Sequence, residues 1–314
     1  MGLVIVGAGL AGLLAANLLR HHDPIVVESQ DVLPNNHHAV LRFGSPAVGD
    51  ALGIPFRRVT LVKSALPWRN PVADILAYSR KVIGVMTTER STARRSAEVG
   101  ERWIAPPDLI AQMASRVEVR LGVRWDFSAD HPKVISTIPM PDLMRAMGYS
   151  SDRASFRWRD GWVASVRVAD CDAYVSLLVP DPRVPFYRAS ITGDEMAVET
   201  TDPVTDNGMH LVGLAASMLG VHRFDASTLR LVRQPYVKIL PIDDVERRHF
   251  IFWASSVRGV AYSLGRFATW RPSLLTEHLI KDVRLIDGWI RDGGSDRYAM
   301  ELHEAEKRRV GAVA

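Results

Sequence analysis

The chain has 314 residues, of which 47% are hydrophobic and 24% are charged, and its formal net charge is +4. This is the composition of an ordinary soluble globular protein, and the length allows about two domains. The absence of any long uninterrupted apolar run excludes a transmembrane helix. Cys171 is the only cysteine, which excludes an internal disulfide and a thiolate metal site and favours a reducing, cytoplasmic compartment. We expect no metal site.

The first 28 residues predict a strand, a glycine-rich turn, a helix and a second strand. Residues 3–6 are an apolar strand, and the segment Gly7-Ala8-Gly9-Leu10-Ala11-Gly12 places glycines at the G-x-G-x-x-G spacing. An apolar helix is predicted over 13–19, and a second strand over 25–27 ends at Glu28. Although the N-terminus is apolar, it has no basic region before it, so we interpret it as a strand and not as a signal peptide.

Each part of this segment suits a dinucleotide. Gly7 permits a tight turn, Gly9 lets the backbone approach a pyrophosphate, and Gly12 lets helix and strand pack closely. The helix N-terminus offers free N–H groups to phosphates. Glu28 stands about 20 residues further on, where an acid accepts hydrogen bonds from a ribose. The alternative is a glycine-rich turn without a ligand, but the context on both sides favours a bound dinucleotide.

The next elements include loops, and those from 108 to 147 are predicted to return to the same sheet. A polar loop follows Glu28 and contains His37 and His38. Residues 87–102 are polar and rich in arginine, which predicts a loop. The remaining elements predicted up to residue 150 are strands over 59–63, 81–83, 117–121 and 134–139, and helices over 108–116 and 141–147.

The middle of the chain is different in character. Short β-rich runs joined by turn residues predict an antiparallel sheet, with strands over 165–168, 173–179, 187–194 and 195–200, and then a helix over 207–219. Beyond it we predict strands over 236–241, 249–254 and 260–266 and a long amphipathic helix over 274–291.

These elements predict an α/β fold: a Rossmann-like parallel sheet domain with an inserted, mainly antiparallel β domain. The first domain is discontinuous, over 1–60, 100–150 and 234–314. The inserted substrate domain comprises 61–99 and 151–233.

Three motifs carry a resemblance to a known superfamily. The Gly7–Gly12 segment with Glu28 resembles the FAD fingerprint of amine-oxidase-like flavoproteins. The run from Tyr262 to Trp270, which contains Gly265-Arg266 and precedes a long helix, is similar to the C-terminal Gly-Arg segment of UDP-galactopyranose-mutase-like members. Residues 136–139 (Ser-Thr-Ile-Pro) resemble their Thr-x-Pro segment. The paired glycines usual some ten residues after the acid are replaced here by Asn-Asn-His-His at 35–38.

The resemblance implies FAD as the cofactor. Gly7 to Gly12 would hold the pyrophosphate, Glu28 the adenosine ribose, and Val119 the adenine, while Gly265 and Arg266 would lie along the flavin. The full set of cofactor residues predicted is Gly7, Ala8, Gly9, Leu10, Ala11, Gly12, Glu28, Ser29, Arg42, Val119, Thr137, Gly265, Arg266, Trp270 and Leu274.

A flavin supplies the redox chemistry, so few catalytic side chains are needed. His37 or His38 is a candidate proton shuttle, or else a loop histidine bonded to backbone or water. Two pairs combine an aromatic ring with a cation: Tyr187 with Arg188, and Tyr236 with Lys238. Each pair would suit a carboxylate or phosphate, or else would pack at the surface. Arg42 is a candidate fork donor to a phosphate or carboxylate, with a surface salt bridge equally open.

The predicted function is FAD-dependent oxidation of an amine or amino-acid group, with hydride transfer to flavin N5. Some virus-encoded flavoproteins of similar appearance act on amino-acid groups attached to DNA bases. The stretch 156–162, in which aromatic and basic residues interleave, is compatible with binding nucleic acid or with an edge strand of alternating faces. The alternatives are a non-redox mutase-like flavoenzyme and a flavin-containing DNA-binding protein without turnover. Nothing in the sequence indicates a membrane partner or an oligomeric state.

Overall fold

The computed structural model describes residues 2–34, 41–65, 71–87, 98–127, 133–150, 156–257 and 261–292. Over these ranges the chain forms a five-stranded sheet A, an eight-stranded sheet B and flanking helices. The strands are β1 (Val4–Val6), β2 (Ile25–Val27), β3 (Arg42–Phe43), β4 (Arg57–Ala65), β5 (Glu98–Ile104), β6 (Glu118–Arg120), β7 (Val134–Ser136), β8 (Trp158–Val168), β9 (Ala173–Leu178), β10 (Arg188–Gly193), β11 (Glu195–Thr200), β12 (Phe224–Ile239) and β13 (Ala261–Ser263).

The α-helices pack around these sheets. They are α1 (Leu10–Leu18), α2 (Ala47–Leu52), α3 (Pro71–Ile83), α4 (Leu109–Ala114), α5 (Met140–Ala146), α6 (Met209–Leu219), α7 (Asp244–Phe252) and α8 (Thr276–Asp292). A short 3-10 helix (Arg20–His22) follows α1, and a π-helix (Trp253–Val257) follows α7. None of the described helices is long and apolar enough to cross a bilayer.

Sheet A is parallel, in the order β13-β7-β1-β2-β6. Its strands β1, β2 and β7 are mostly apolar and buried, as in parallel sheets covered on both faces; Ile5, Val26 and Ile135 are all fully buried. The edge strand β6 is different, since Glu118 and Arg120 are exposed. Because the strands run the same way, the segments that follow β1, β2, β7 and β13 all emerge at one end. That carboxyl end is where open α/β sheets bind ligands.

Sheet B is mixed, in the order β12-β8-β11-β10-β9-β4-β5-β3, and antiparallel except where β4 pairs with β9. The side chains alternate between its two faces. One face packs Ala189, Ile191 and Val198 under α6. The opposite face carries Arg188 and Glu199, which are directly paired across β10 and β11. The predicted α/β fold with a second, mainly antiparallel sheet is therefore confirmed.

Two strand predictions were wrong because helix signals at their ends outweighed β propensity. Residues 81–83 end α3, which begins at Pro71 and stops at Gly84, whose positive φ of 80° suits a helix C-terminus. Residues 249–254 lie in α7 and the π-helix. There the Asp243 carboxylate accepts hydrogen bonds from the N–H groups of Val245 (2.7 Å) and Glu246 (3.2 Å) and starts the helix.

The pairing of the strands corrects one further prediction and bears on another. The predicted arginine-rich loop over 87–102 includes most of strand β5, and its residues 88–97 lie outside the described part of the chain. In the stretch 156–162, Trp162 pairs with both β11 and β12, whereas Trp158, Arg159 and Gly161 pair with β12 alone. Among the described strands this end of β8 is therefore an edge, as one of the two alternatives predicted.

The division into domains stays a prediction. Its boundaries do not coincide with the division between the sheets, since residues 57–60, 100–104 and 234–239 lie in strands of sheet B.

Candidate functional site

The glycine-rich turn between β1 and α1 forms an open cradle at the carboxyl end of sheet A. Gly7 adopts a φ of +105°, which strongly favours glycine, and its N–H donates to the Val27 carbonyl (2.8 Å). A Cβ at Gly12 would collide with the Gly7 carbonyl oxygen, whereas a Cβ at Gly9 would meet nothing within 4 Å. The tight turn and close packing are thus built in, and space is left over Gly9.

The N-terminus of α1 opens into this space. Gly9 is its N-cap residue, and no side chain caps the helix. Leu10 and Ala11 stand in its first turn, half-buried, and that turn contains no acidic residue. Unsatisfied N–H groups and the positive end of the helix dipole are therefore directed to the place where a pyrophosphate is predicted.

Glu28 closes the cradle from β2. Its carboxylate accepts hydrogen bonds from the N–H of Ala8 (2.9 Å) and of Gln30 (3.0 Å), and from the Ser29 hydroxyl (3.2 Å). The acid is thereby fixed beside the glycine turn and still half-exposed. Val119 lies on the neighbouring strand β6, paired with Val26.

The segments after β7 and β13 reach the same place. The Thr137 hydroxyl donates to the Val6 carbonyl (2.9 Å), and a Cβ on Gly7 would meet that hydroxyl. Gly265 has a φ of +101°, and a Cβ there would lie 3.2 Å from the Ala11 side chain. Residues far apart in the sequence therefore line one cradle, because parallel strands end on one side.

A buried network holds the Gly265 turn. The Thr269 hydroxyl donates to the Gly265 carbonyl (2.7 Å) and accepts a hydrogen bond from Arg271 Nε (2.8 Å). Arg271 forms an ion pair with Asp282 of α8, and the two side chains are only 6% and 9% exposed. The helix therefore fixes the turn through a charge pair that sequence reasoning missed.

Trp270 lies in an aromatic group behind this turn. It is 1% exposed, and its indole N–H donates to the Leu240 carbonyl (2.8 Å). Its ring packs edge-on against Phe156 (4.8 Å between centroids) and Tyr236 (6.1 Å). Trp270 thus has a clear packing role, and its contact with a cofactor stays a prediction.

The other two predicted residues of this region have different exposures. Leu274 is also buried, at 5%. Arg266 is half-buried, with its guanidinium carbon 5.7 Å from the Phe267 ring centroid.

Tyr236 belongs to this aromatic group. It sits at an irregularity of β12 with a φ of 56°, and its hydroxyl donates to Asp142 Oδ2 (2.9 Å). Burial, reinforced by the hydrogen bond to Asp142, raises the pKa of Tyr236 to about 12. Its predicted catalytic role is untested, but its hydroxyl is a protonated donor at neutral pH.

A basic cluster occupies the polar face of sheet B. Glu199 Oε1 accepts a hydrogen bond from Arg188 Nε (2.7 Å), and Oε2 accepts one from the buried Tyr187 hydroxyl (2.7 Å). Burial raises the pKa of Tyr187 well above its usual value. Lys238 Nζ lies 4.6 Å from the centre of the Tyr187 ring. Arg42, on β3, is close enough for the charges of Arg188 and Glu199 to act on its pKa.

The structure therefore brings Arg42, Tyr187 and Lys238 together. Glu199 and Arg102 were missed, although a signal for the Arg188–Glu199 pair exists. The turn at Gly193-Asp194 fixes the register of its hairpin and places residue 188 opposite 199. His37 and His38 lie outside the described residues.

A groove and a cluster of polar side chains lie away from the cradle. An open groove of about 560 Å³ is lined by residues including Leu76, Lys81 and Arg159. Lys81 Nζ donates to the carbonyls of Val179 (3.0 Å) and Asp181 (2.8 Å), and burial lowers its pKa to about 8.

The cluster of polar side chains lies just beyond the C-terminus of α1, and no metal-ligand spacing in the sequence predicted it. His21 and His22 both contact Asp287 Oδ1, at 2.9 and 2.7 Å, with ligand atoms near enough to share one ion.

Comparison with known proteins supports the fold. The sequence matches no protein-family model and no curated protein. The structure is similar to reduced UDP-galactopyranose mutase, with a TM-score of 0.71 at 14% identity over 95% of both chains. It is also similar to PqsL, a probable FAD-dependent monooxygenase from Pseudomonas aeruginosa, with a TM-score of 0.55 at 16% identity over 100% of this chain and 93% of that one.

A third similar structure is 2-methyl-3-hydroxypyridine-5-carboxylic acid oxygenase, with a TM-score of 0.53 at 14% identity over 98% of this chain and 87% of that one. At such identities the likeness shows the fold alone. This chain therefore has the two-sheet fold seen in FAD-dependent enzymes, and the predicted fold class is confirmed. The three structures named are a mutase and two oxygenases, and amine-oxidase-like character stays a prediction.

Proposed function

We propose that this chain is an FAD-dependent oxidoreductase. The observation that carries the proposal is the cradle at the carboxyl end of sheet A. There Gly7 and Gly12 allow the tight turn and close packing, Gly9 leaves open space in front of a helix N-terminus, and Glu28 stands beside it. The donor set fits FAD: backbone N–H groups suit its pyrophosphate, and a half-exposed carboxylate suits its ribose. PqsL, which is named as a probable FAD-dependent monooxygenase, shares the fold.

The remaining cradle residues fit the other end of the cofactor. Gly265 lies against α1 without a side chain, and half-buried Arg266 follows it. These residues would lie along the flavin, and Thr137 would support the Gly7 turn through its hydrogen bond to the Val6 carbonyl. FAD, when bound, supplies a two-electron acceptor.

We propose that the substrate is an amine or amino acid held on the polar face of sheet B. The chain's own contribution would be to orient the substrate and exclude water, because a flavoprotein of this kind needs no nucleophilic side chain. Tyr187, with its raised pKa, would keep its proton and hold Glu199 in place.

The first test is the visible absorption spectrum of the purified protein. Oxidised-flavin bands, and their anaerobic bleaching by one member of a panel of amines and amino acids, would support the proposal. A colourless protein that takes up no FAD would refute it. A Gly9→Ala variant, which fills only the open space in front of the helix, should fold normally but take up less FAD.

A second candidate is a non-redox, mutase-like flavoenzyme. The TM-score of 0.71 to reduced UDP-galactopyranose mutase favours it, since the other two structures named score 0.55 and 0.53. Turnover only after dithionite reduction, with no net oxidation of substrate, would identify this activity. Turnover of the oxidised enzyme would exclude it.

The substrate group could also be attached to a DNA base, as the net charge of +4 allows. Trp158 is 42% exposed on β8, and Arg233 lies over the Trp162 ring at 6.0 Å. We expect DNA binding that weakens steeply with salt. Absent or salt-insensitive binding would remove nucleic acid as a partner.

A further inference from the structure

The starting point is a buried arginine nitrogen for which the described residues provide no hydrogen-bond acceptor. Arg42 Nη1 is buried and makes no hydrogen bond. Burial and repulsion from Arg188 and Arg102 lower its pKa to about 10, against the opposing attraction of Glu199. A desolvated guanidinium is costly unless an anion pairs with it. An anion bound beside Arg42 would therefore stabilise its buried guanidinium.

Glu199 cannot supply that charge in full. Both its carboxylate oxygens accept hydrogen bonds, from Arg188 and from the Tyr187 hydroxyl. Its negative charge is shared with Lys238 as well, which helps hold the pKa of Glu199 low in spite of burial. Arg42, Arg188 and Lys238 thus interact with one acid, and Arg102 lies near enough to repel Arg42. Within the described part of the chain, this cluster carries surplus positive charge.

Arg42 is tied to the cradle side of the molecule. The two residues that follow Phe43 donate their backbone N–H groups to Glu277 in the first turn of α8, Gly44 through a short contact and Ser45 at 3.1 Å. The same helix fixes the Gly265 turn through Asp282. The basic cluster and the cradle are therefore anchored to one helix.

We propose that Arg42, with Arg188 behind it, binds an oxyanion of the substrate: a carboxylate or a phosphate. The assignment rests on the proposed function for its chemistry, since the anion would place the reacting group of the substrate against the cofactor. Arginine suits this task because its planar fork donates two parallel hydrogen bonds to such an anion. The substrate class is thereby narrowed to acidic molecules, which excludes simple uncharged or cationic amines.

The test uses the holoprotein and two series of probes. Sodium acetate and malonate represent carboxylates, and inorganic phosphate and pyrophosphate represent phosphates. Binding is measured by calorimetry and by the change in the visible flavin spectrum. We expect one series to bind, and Arg42→Met to weaken it at least tenfold with unchanged FAD content. Arg58→Met is the matched control, because Arg58 is exposed and ion-paired to Glu101 on the neighbouring strand.

Stability gives a readout independent of turnover. Without added anion, Arg42→Met should melt at a higher temperature than the wild type, because the desolvated cation is removed. Adding the anion should raise the melting temperature of the wild type more than that of the variant. Equal anion affinity in Arg42→Met and wild type would overturn the proposal. Loss of FAD from Arg42→Met would also overturn it and make Arg42 a cofactor contact. If the protein binds no FAD, calorimetry still decides anion binding, so the two proposals fail separately.

Discussion

The buried ion pair between Arg271 and Asp282 offers the sharpest test of how α8 supports the cradle. Asp282→Asn keeps the shape of the side chain but removes the negative charge that Asp282 provides to the Arg271 guanidinium, which is 6% exposed. Breaking a buried pair in this way costs about 3–5 kcal/mol. Because Arg271 also holds Thr269, and Thr269 holds the Gly265 carbonyl, the affinity for FAD should fall as well.

The free energy of unfolding is measured by urea titration of the apoprotein, followed by tryptophan fluorescence. The double variant Arg271→Met/Asp282→Leu should recover most of the loss, since apolar replacements carry no desolvation penalty. Asp194→Asn is the surface control, because its pair with Arg167 is 46% and 57% exposed and should matter by less than about 1 kcal/mol. A loss below about 1 kcal/mol for Asp282→Asn, or a double variant as unstable as the single one, would refute this reasoning.

Three further outcomes are expected. Gly12→Ala should destabilise the protein because its Cβ collides with the Gly7 carbonyl oxygen. Gly9→Ala should unfold at the same urea concentration as the wild type yet bind FAD more weakly, and an unchanged FAD dissociation constant would contradict the predicted path of the pyrophosphate. Burial lowers the pKa of Lys81 from 10.5 to about 8, so between these pH values the unfolded chain binds more protons and stability rises with pH. Lys81→Met should remove that rise. If the free energy of unfolding of the variant and of the wild type changed in parallel over pH 7–10, Lys81 would not be the cause of the rise.

The sequence predicted the cradle well because its parts are local. A run of apolar residues, a fixed glycine spacing and an acid after the second strand depend on neighbours along the chain. Positive φ at Gly7 and the backbone N–H groups bonded to Glu28 follow from those patterns. The turn at Gly193-Asp194 likewise specifies its hairpin register.

The wrong strand predictions show where local reasoning failed. Residues 249–254 are rich in aromatic and branched side chains, but Asp243 caps a helix that buries Phe250 and Ile251. In α3, Tyr78 and Val82 are four residues apart and are both buried against sheet B. In each case the surface against which the segment packs decided whether it formed a helix or a strand.

What the sequence alone determined is the fold class and the side of sheet A on which a ligand would lie, because strand direction and glycine geometry are written in consecutive residues. Only the tertiary structure could join Arg42 to Arg188 and Glu199, or Arg271 to Asp282, since charge pairing across elements depends on packing that no spacing records. The same packing seals the Arg42 Nη1 atom from water. That desolvation, and not the presence of an arginine, is what makes Arg42 a candidate for binding an anion.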